Sequence, residues 1–461
     1  LKTNPGTTND LKSPPTPPSS GAQERAFVLV PVESEAARTR EERLVETVGL
    51  AQALDVVVVN SAATPLRRRS PRAYLGEGRI AALKDAMQAA DAGLLILDTA
   101  LTPVQQRNLE TGLQAKVLDR TGLILEIFGR RARSREGVLQ VELARQAYER
   151  SRLVRTWTHL ERQRGGLGKT GGPGETQLEI DRRLIADRID RLKAQLVEVR
   201  RTRGLQRRAR KRAGLASAAL VGYTNAGKST LFNRLTAAGV FAENMPFATL
   251  DPTARLLKLT SGRELIISDT VGFIADLPTE LVDAFRATLE EVTSADVLVH
   301  VRDISHGETE AQCADVLSVL DDVFGELARP AMIEVWNKTD LLTPVALEAR
   351  MARAQTNADT IVPISALQGD GVAALLAALD HAAFGPTRLI DVGLDPADGA
   401  RRAAFARLGR IVSEAMLPDG RLHLAVDVRV EDMARLALQP GEQIETLAQT
   451  AADHQPGEPA G

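Results

Sequence analysis

Gly222, Tyr223, Thr224, Asn225, Ala226, Gly227, Lys228 and Ser229 form a G-x-x-x-x-G-K-S run, a pattern suited to holding phosphate. The glycines let successive backbone N–H groups curl around an anion, and a helix starting at the end of the loop adds its dipole. Lys228 is expected to reach the β- and γ-phosphates of a nucleotide, and Ser229 to ligate magnesium. The run lies between a β-branched stretch, Ala218–Val221, and an apolar-periodic one, Thr230–Leu235, the strand–loop–helix setting that the chemistry needs. An incidental glycine turn would not combine Gly222, Gly227, Lys228 and Ser229 in that setting.

Two further runs complete the chemistry. Asp269, Thr270, Val271 and Gly272 come 40 residues after Ser229, at the end of an apolar stretch. A carboxylate there holds magnesium through water, and the Gly272 amide meets the γ-phosphate. Asn337, Lys338, Thr339 and Asp340 follow another strand-like stretch. Asp340 is expected to accept from both N1–H and the exocyclic amine of guanine, a pair adenine lacks. Asn337 would brace the loop, Lys338 would cover the base plane, and backbone N–H groups of Ser365, Ala366 and Leu367 would face guanine O6. Each run alone is weak. Their order and spacing predict a guanine-nucleotide hydrolase using magnesium.

Between these runs lie Phe247, Ala248, Thr249, Leu250, Asp251, Pro252 and Thr253, with residues 247 to 251 read as lining the nucleotide. A threonine in this interval completes the magnesium shell and senses the γ-phosphate; Thr249 is the choice over Thr253. Ser229, Thr249 and Asp269 thus form the metal set, and Lys228, Thr249 and Gly272 the catalytic one. Phe273 stands where many such enzymes carry a water-orienting glutamine. A low intrinsic rate follows, completed by a partner or another group. Otherwise Phe273 is simply packed, and Ile274 or Thr270 contributes more.

These residues need a framework. Six segments are expected: a disordered Pro/Ser/Thr-rich tail (1–25), an N-terminal α/β domain (26–155), a glycine-rich loop with a helical linker (156–213), a doubly wound α/β domain carrying the motifs (214–385), a small α+β module (386–447) and a flexible tail (448–461). Strands are predicted at Phe27–Val30, Val56–Val59, Leu94–Leu97 and Lys116–Leu118, alternating with helices near Glu41–Ala53, Gly78–Ala89 and Pro103–Leu113. A helix is predicted over Gly137–Arg152. Arg164–Glu175 reads as a loop, and Thr176 opens a helix. Ile185, Ile189, Leu192, Leu196 and Val199 make a seam seeking a helical partner, and Gly204 allows a turn. In the second domain, strands are predicted at Leu256–Leu259, Glu264–Ser268, Val297–Val301, Ile333–Trp336 and Ile361–Ile364. The module shows Leu389–Val392, a helix through Ala403–Ala415 and an alternating strand, Leu422–Val428.

The 461 residues are 44% hydrophobic and 26% charged, a globular composition with material for several cores. The lone Cys313 allows no internal disulfide, and no Cys/His cluster has zinc spacing. No apolar run is long enough to span a bilayer, and the start of the sequence has no signal-type stretch. A cytoplasmic protein without stable membrane insertion, monomeric when free, is expected. The net charge of −2 conceals an asymmetry: Ser151–Arg212 holds 18 Lys or Arg and 7 Asp or Glu, +11 against −13 elsewhere. Such a field, joined by Arg67, Arg68, Arg69 and Arg72, suits an RNA backbone, while the bland alternative is a solvated helix face.

The Gly171–Glu179 run, the Gly222–Ser229 loop with Asn225 and the Phe247–Thr253 run together resemble the HflX family of ribosome-associated GTPases. Asp98–Glu110 and Glu136–Ala144 resemble it too, so the likeness spans approximately Ala26 to Phe384. It implies GTP and GDP binding by the 214–385 domain and association with the large (50S) ribosomal subunit, with roles in rescue by subunit splitting or in biogenesis. Asn225 is similar to the asparagine that helps hold K+ in potassium-activated GTPases; the alternative is an asparagine bonded to its own loop. Two rivals remain: a signalling switch acting on proteins, and a remodelling enzyme with a second nucleotide in its N-terminal domain, where Gly76 and Gly78 lack a Lys-Ser partner.

Overall fold

β-Branched and leucine-rich runs become buried parallel strands in both units of the computed structural model, which describes residues 23–32, 39–66, 68–163, 173–212, 215–237, 246–275, 289–325, 327–354, 360–416, 420–435 and 444–446. One unit comprises Leu1–Arg130 and Glu149–Arg182, the other Arg131–Tyr148 and Arg183–Gly461. Among the described residues no helix is long and apolar enough to cross a membrane. Residues 164–172 of the glycine-rich run, Arg67 and most of both tails lie outside the described residues.

In the first unit β1 (Arg25–Val32), β2 (Val57–Pro65), β3 (Leu94–Leu97) and β4 (Lys116–Asp119) form a parallel sheet in the order β2-β1-β3-β4. Helices α1 (Arg40–Gln52), α2 (Glu77–Ala89) and α3 (Pro103–Leu113) connect them. The start of α3 is dictated locally: Thr102 and Gln105 exchange side chain-to-backbone bonds, and Pro103 needs no N–H in the first turn. Phe27, Leu29, Leu83, Met87, Leu95 and Leu109 share one core. The sequence reading passes over α4 (Arg120–Arg131), whose Leu123, Ile124, Ile127 and Phe128 recur at helical spacing and whose eight buried residues run from Arg120 to Leu125 and on to Ile127 and Phe128. Arg120 joins Asp98 and Glu46 in a buried ion network.

The helices α5 (Arg135–Gln163) and α6 (Pro173–Arg212) are longer than their sequence signals. Pro173, at a position where its missing N–H costs nothing, opens α6 instead of Thr176. Gly204 makes no turn; α6 runs through it, because one glycine costs only about 1 kcal/mol among strong helix formers. In the second unit, Ile185, Ile189, Leu192 and Leu196 of the predicted seam find their partner in Leu139 and Leu143 at the start of α5.

The large sheet of the second unit contains β5 (Ala216–Val221), β6 (Thr253–Lys258), β7 (Glu264–Asp269), β8 (Val297–Asp303), β9 (Ala331–Asn337) and β10 (Thr360–Pro363). Its order is β10-β9-β8-β5-β7-β6, parallel except for β6. The connecting helices are α7 (Lys228–Thr236), α8 (Thr309–Phe324), α9 (Pro344–Ala354) and α10 (Val372–Phe384). Phe232 and Leu231 of α7 and Leu375 and Leu379 of α10 bury one face with Leu220, Val299 and Val335. On β8 the opposite set includes His300 and Arg302; Arg302 bonds the start of α8 at Thr309 and Glu310.

A small antiparallel sheet follows: β11 (Thr387–Leu394), β12 (Gly409–Met416), β13 (Leu422–Arg429) and β14 (Ile444–Thr446), in the order β12-β13-β11-β14. The helix predicted over Ala403–Ala415 is α11 (Gly399–Leu408) followed by the strand β12. Gly409 sets the break, since a Cβ there would lie 2.7 Å from the Asp427 carbonyl oxygen of the paired strand. Arg263 joins this module to the large sheet by bonding Asp427 at 2.6 Å and stacking over Phe384.

His300 is buried, and among the described residues neither ring nitrogen has a hydrogen-bond partner. Burial pushes its pKa down from 6.5 to about 4, against the pull of Glu334. Between those values the folded ring is neutral and the unfolded one protonated, so stability falls as pH drops through that window. The protein should therefore lose about 2 kcal/mol from this residue between about pH 7 and pH 5. Denaturant midpoints of the parent and His300→Leu at both pH values check it; the variant should be less pH-sensitive, and equal sensitivity would refute the assignment.

Candidate active site

The phosphate-type loop leaves β5 at Val221 and enters α7 at Lys228. Two glycines make its path possible. Gly222 has φ +150°, and a Cβ there would lie 2.2 Å from the Val301 carbonyl oxygen; Gly227 has φ +93°, with Asn337 Nδ2 at 2.2 Å from the same imagined atom. Asn225 takes φ 61° at the exposed tip, a conformation asparagine tolerates better than most residues. Among the described residues its side chain makes no hydrogen bond, which disfavours the self-bonded alternative.

The floor is made of buried ionisable groups. Lys228 is buried, and its Nζ donates to the carbonyl oxygens of Gly222 (3.1 Å) and Tyr223 (2.7 Å). Burial lowers its pKa to about 8, although Asp269 pulls it up. Asp269 is fully buried at the end of β7; burial pushes its carboxyl above the usual range, against Ser229, Lys228 and Thr249. Ser229 Oγ donates to Asp269 Oδ2 at 2.7 Å and lies 2.8 Å from Thr249 Oγ1, which donates to the same Oδ2 at 3.0 Å. Asp269 Oδ1 has no partner among the described residues. Two hydroxyls gathered on Asp269 Oδ2, with the Oδ1 of the same carboxylate unpartnered, make a hard oxygen set that fits magnesium, which uses few protein ligands beside phosphate and water. Thr249, not Thr253, joins this cluster; Thr253 pairs with Asp269 only as a strand neighbour.

Gly272 presses against the loop, where a Cβ would meet Thr224 Cα at 2.7 Å and Lys228 Nζ at 2.9 Å. Phe273 is stitched to the same loop: its N–H donates to Gly222 O (3.1 Å), and its carbonyl accepts from Thr224 N (2.7 Å). Its ring is buried, as in the packed alternative, and orients no water. Thr270 Oγ1 donates to Leu220 O at 2.5 Å, which occupies that hydroxyl with β5, and Ile274 is buried.

The second half of the cavity rests on Asn337. Its Nδ2 donates to Ala226 O (2.8 Å), and its Oδ1 accepts from Ala366 N (2.9 Å), so one buried amide holds two loops. Lys338 has φ 64°, and its Nζ pairs with Asp303 at 2.7 Å. Asp340 Oδ1 accepts from Ser365 Oγ at 2.7 Å. Thr339 N–H donates to Ile364 O.

A cavity of about 380 Å³ joins these parts, lined by Thr224, Asn225, Gly227, Lys228, Ser229, Thr230, Phe247, Ala248, Thr249, Thr270, Gly272, Asn337, Lys338, Asp340, Ala366 and Leu367. Leu341 lines it as well and goes unsuspected in the sequence, because an apolar residue after Asp340 carries no chemical signal. Arg234 and Asp303 are also invisible there. Arg234 reaches from α7 to the Ala366 and Leu367 carbonyls, and Asp303 anchors Lys338. Gly222, Tyr223, Ala226, Leu250, Asp251, Asp269, Val271, Thr339 and Ser365 stand behind the lining rather than in it. Tyr223 OH accepts from Ala275 N at 2.9 Å, Leu250 and Val271 are buried, and Asp251 contacts Ser134.

Residues 217–338 match the family described as 50S ribosome-binding GTPase, residues 41–129 the GTP-binding GTPase N-terminal family, and residues 131–210 the GTP-binding GTPase middle region. The GTPase HflX of Magnetococcus marinus is 49% identical over 386 residues, which cover 83% of this chain and 88% of that protein. The GTPase HflX of Escherichia coli is 42% identical over 406 residues, covering 88% and 93%. A GTP-binding protein from the archaeon Sulfolobus solfataricus, solved in complex with GDP, is 24% identical and aligns with a TM-score of 0.43 over 78% of this chain and 99% of that one, a likeness too loose to bear on the site.

Proposed function

This chain belongs to the HflX family of GTPases and so binds guanine nucleotide and hydrolyses GTP; we propose that it does so in the cavity floored by Lys228, Ser229 and Asp269, and that it acts on the large ribosomal subunit. The observation that carries the site is that one cavity joins the Lys228 loop to Asp340.

Lys228 now donates to two loop carbonyls, and the β- and γ-phosphate oxygens of GTP offer it stronger, charged acceptors. Gly227 and the first turn of α7 present backbone N–H groups to the same phosphates. Ser229, Thr249 and, through water, Asp269 would hold magnesium, which supplies positive charge against the triphosphate. The Gly272 amide faces the γ-phosphate. Asp340, oriented by Ser365 Oγ, accepts from guanine N1–H and its exocyclic amine, and the Lys338 stem, held at its tip by Asp303, covers the base. Ser365 N–H donates to Asp370 O and Ala366 N–H to Asn337 Oδ1, so among the described residues the Leu367 N–H is the one of the three that would face guanine O6.

Phe273 leaves the attacking water without a side-chain partner at that position, so the free protein turns over slowly. Two sources complete the charge and positioning. One is K+ held by the free amide of Asn225, beside the phosphates. The other is the ribosome, which also accounts for the exposed Arg183 and Arg191 on α6, away from the seam that packs on α5. Such charges give affinity for an RNA backbone without reading its sequence. A cytoplasmic location follows from that partner.

Three outcomes are expected. Asp340→Asn should weaken GTP binding by roughly ten- to a hundredfold and favour xanthosine triphosphate, since the amide turns one acceptor into a donor; competition binding with both nucleotides checks it, and unchanged GTP affinity would sink the base assignment. GTP turnover should be faster in potassium than in sodium at equal ionic strength, and the difference should vanish in Asn225→Ala. Large ribosomal subunits should raise turnover well above the free rate and co-sediment with the protein when a GTP analogue is bound. A rate flat across a subunit titration would favour a switch acting elsewhere.

A further inference from the structure

Asp251 stands two residues beyond Thr249, with Leu250 buried between them, and its carboxylate is fully engaged outside the nucleotide cavity. Oδ2 accepts from the backbone N–H groups of Arg133 (2.8 Å) and Ser134 (2.6 Å), and Oδ1 accepts from Ser134 Oγ (2.5 Å). Ser134 in turn begins α5: its Oγ accepts from Gly137 N at 2.9 Å, and its carbonyl accepts from Val138 N at 3.0 Å. Gly137 is the residue that makes room, because a Cβ there would lie 2.1 Å from Asp251 Oδ1. Three charge-assisted bonds therefore meet on one side chain of the segment that carries Thr249.

The start of α5 is in turn bound to α6 through Leu139, Leu143, Ile189, Leu192 and Leu196, and α6 runs toward β5 and the phosphate loop. The helical pair thus has two attachments to the nucleotide-binding sheet: the chain itself, and Asp251. We infer that Asp251 is a positioning residue that ties the Thr249 segment to the first turn of α5, so that Thr249 seats beside Ser229 and Asp269 when Ser134 is capped, and the start of α5 is held firmly when a γ-phosphate holds Thr249. The coupling runs both ways, as any linkage between two sites must. It rests on the reading that Thr249 engages the γ-phosphate side of the site. A cap serving only the helix would tie α5 down equally with either nucleotide. A tether through Thr249 distinguishes GTP from GDP.

The full-length protein, Asp251→Ala, Ser134→Ala and Thr249→Ala are compared for GTP-analogue and GDP affinity, kcat, KM and amide exchange at Gly137–Leu139. The parent should protect those amides more with the GTP analogue than with GDP. Asp251→Ala should erase that difference, lower kcat by about tenfold with KM for GTP changed far less, and leave GDP affinity intact, a coupling of ordinary size between two sites. Ser134→Ala, which keeps two of the three bonds to Asp251, should show the same pattern to a smaller degree and guards against misfolding of the first variant. If Thr249→Ala loses preference for the GTP analogue while both tether variants behave as the parent, the inference fails and the Thr249 reading stands. If Thr249→Ala also behaves as the parent, that reading fails and the inference with it.

Discussion

Lys228 and Asp269 are buried side by side at the floor of one cavity, and burial drives each toward its neutral form. Taking opposite charges out of water is costly unless every remaining lone pair and proton finds a partner. The structure answers with short-range polar groups: two loop carbonyls for the ammonium, and two hydroxyls for one carboxylate oxygen. The other oxygen, Asp269 Oδ1, is left over. The close approaches at Gly222, Gly227 and Gly272 leave no room for a side chain where this floor is assembled.

Sheet order brings that floor together. β5 and β7 are paired neighbours, so the loops that leave their carboxyl ends meet although Ser229 and Asp269 are 40 residues apart. On the other side β8 and β9 carry Asp303 and Asn337 to the same edge. A ligand crevice at the carboxyl ends of parallel strands is the general consequence of this topology. Asn337 then joins the halves, since a single buried amide can donate to one loop and accept from another. The base half and the phosphate half are thereby held as one object.

Phe273 shows what the packing gives up. Its backbone closes a two-bond bridge with the phosphate loop, and its ring is buried, so the position contributes rigidity and no side-chain hydrogen bond to water. A rigid site with a missing polar group suits an enzyme whose rate is set from outside. The start of α5 packs its leucines on the apolar seam of α6, and Arg183 and Arg191 of α6 stay exposed away from it.

Much of this was legible in the residues alone. Alternating α and β signals specified a mixed fold, and the 4,3 spacing of Ile185, Ile189, Leu192 and Leu196 called for a helical partner, because side-chain periodicity is a local property. The identities of Lys228, Ser229, Asp269 and Asp340 could be proposed because phosphate, magnesium and guanine each demand particular donors and acceptors. Local signals failed where competing terms are non-local. Gly204 stays helical because its neighbours outweigh it, Gly409 ends a helix where the chain pairs with a strand too close for a Cβ, and α4 is buried on almost every side by what packs around it. Only the tertiary structure could bring Arg234 and Asp303 to loops more than 30 residues distant, or turn Asp251 from the nucleotide to Ser134, 117 residues earlier. Those choices depend on which chain segments become neighbours, and neighbours far apart in sequence leave no mark on the spacing of either segment.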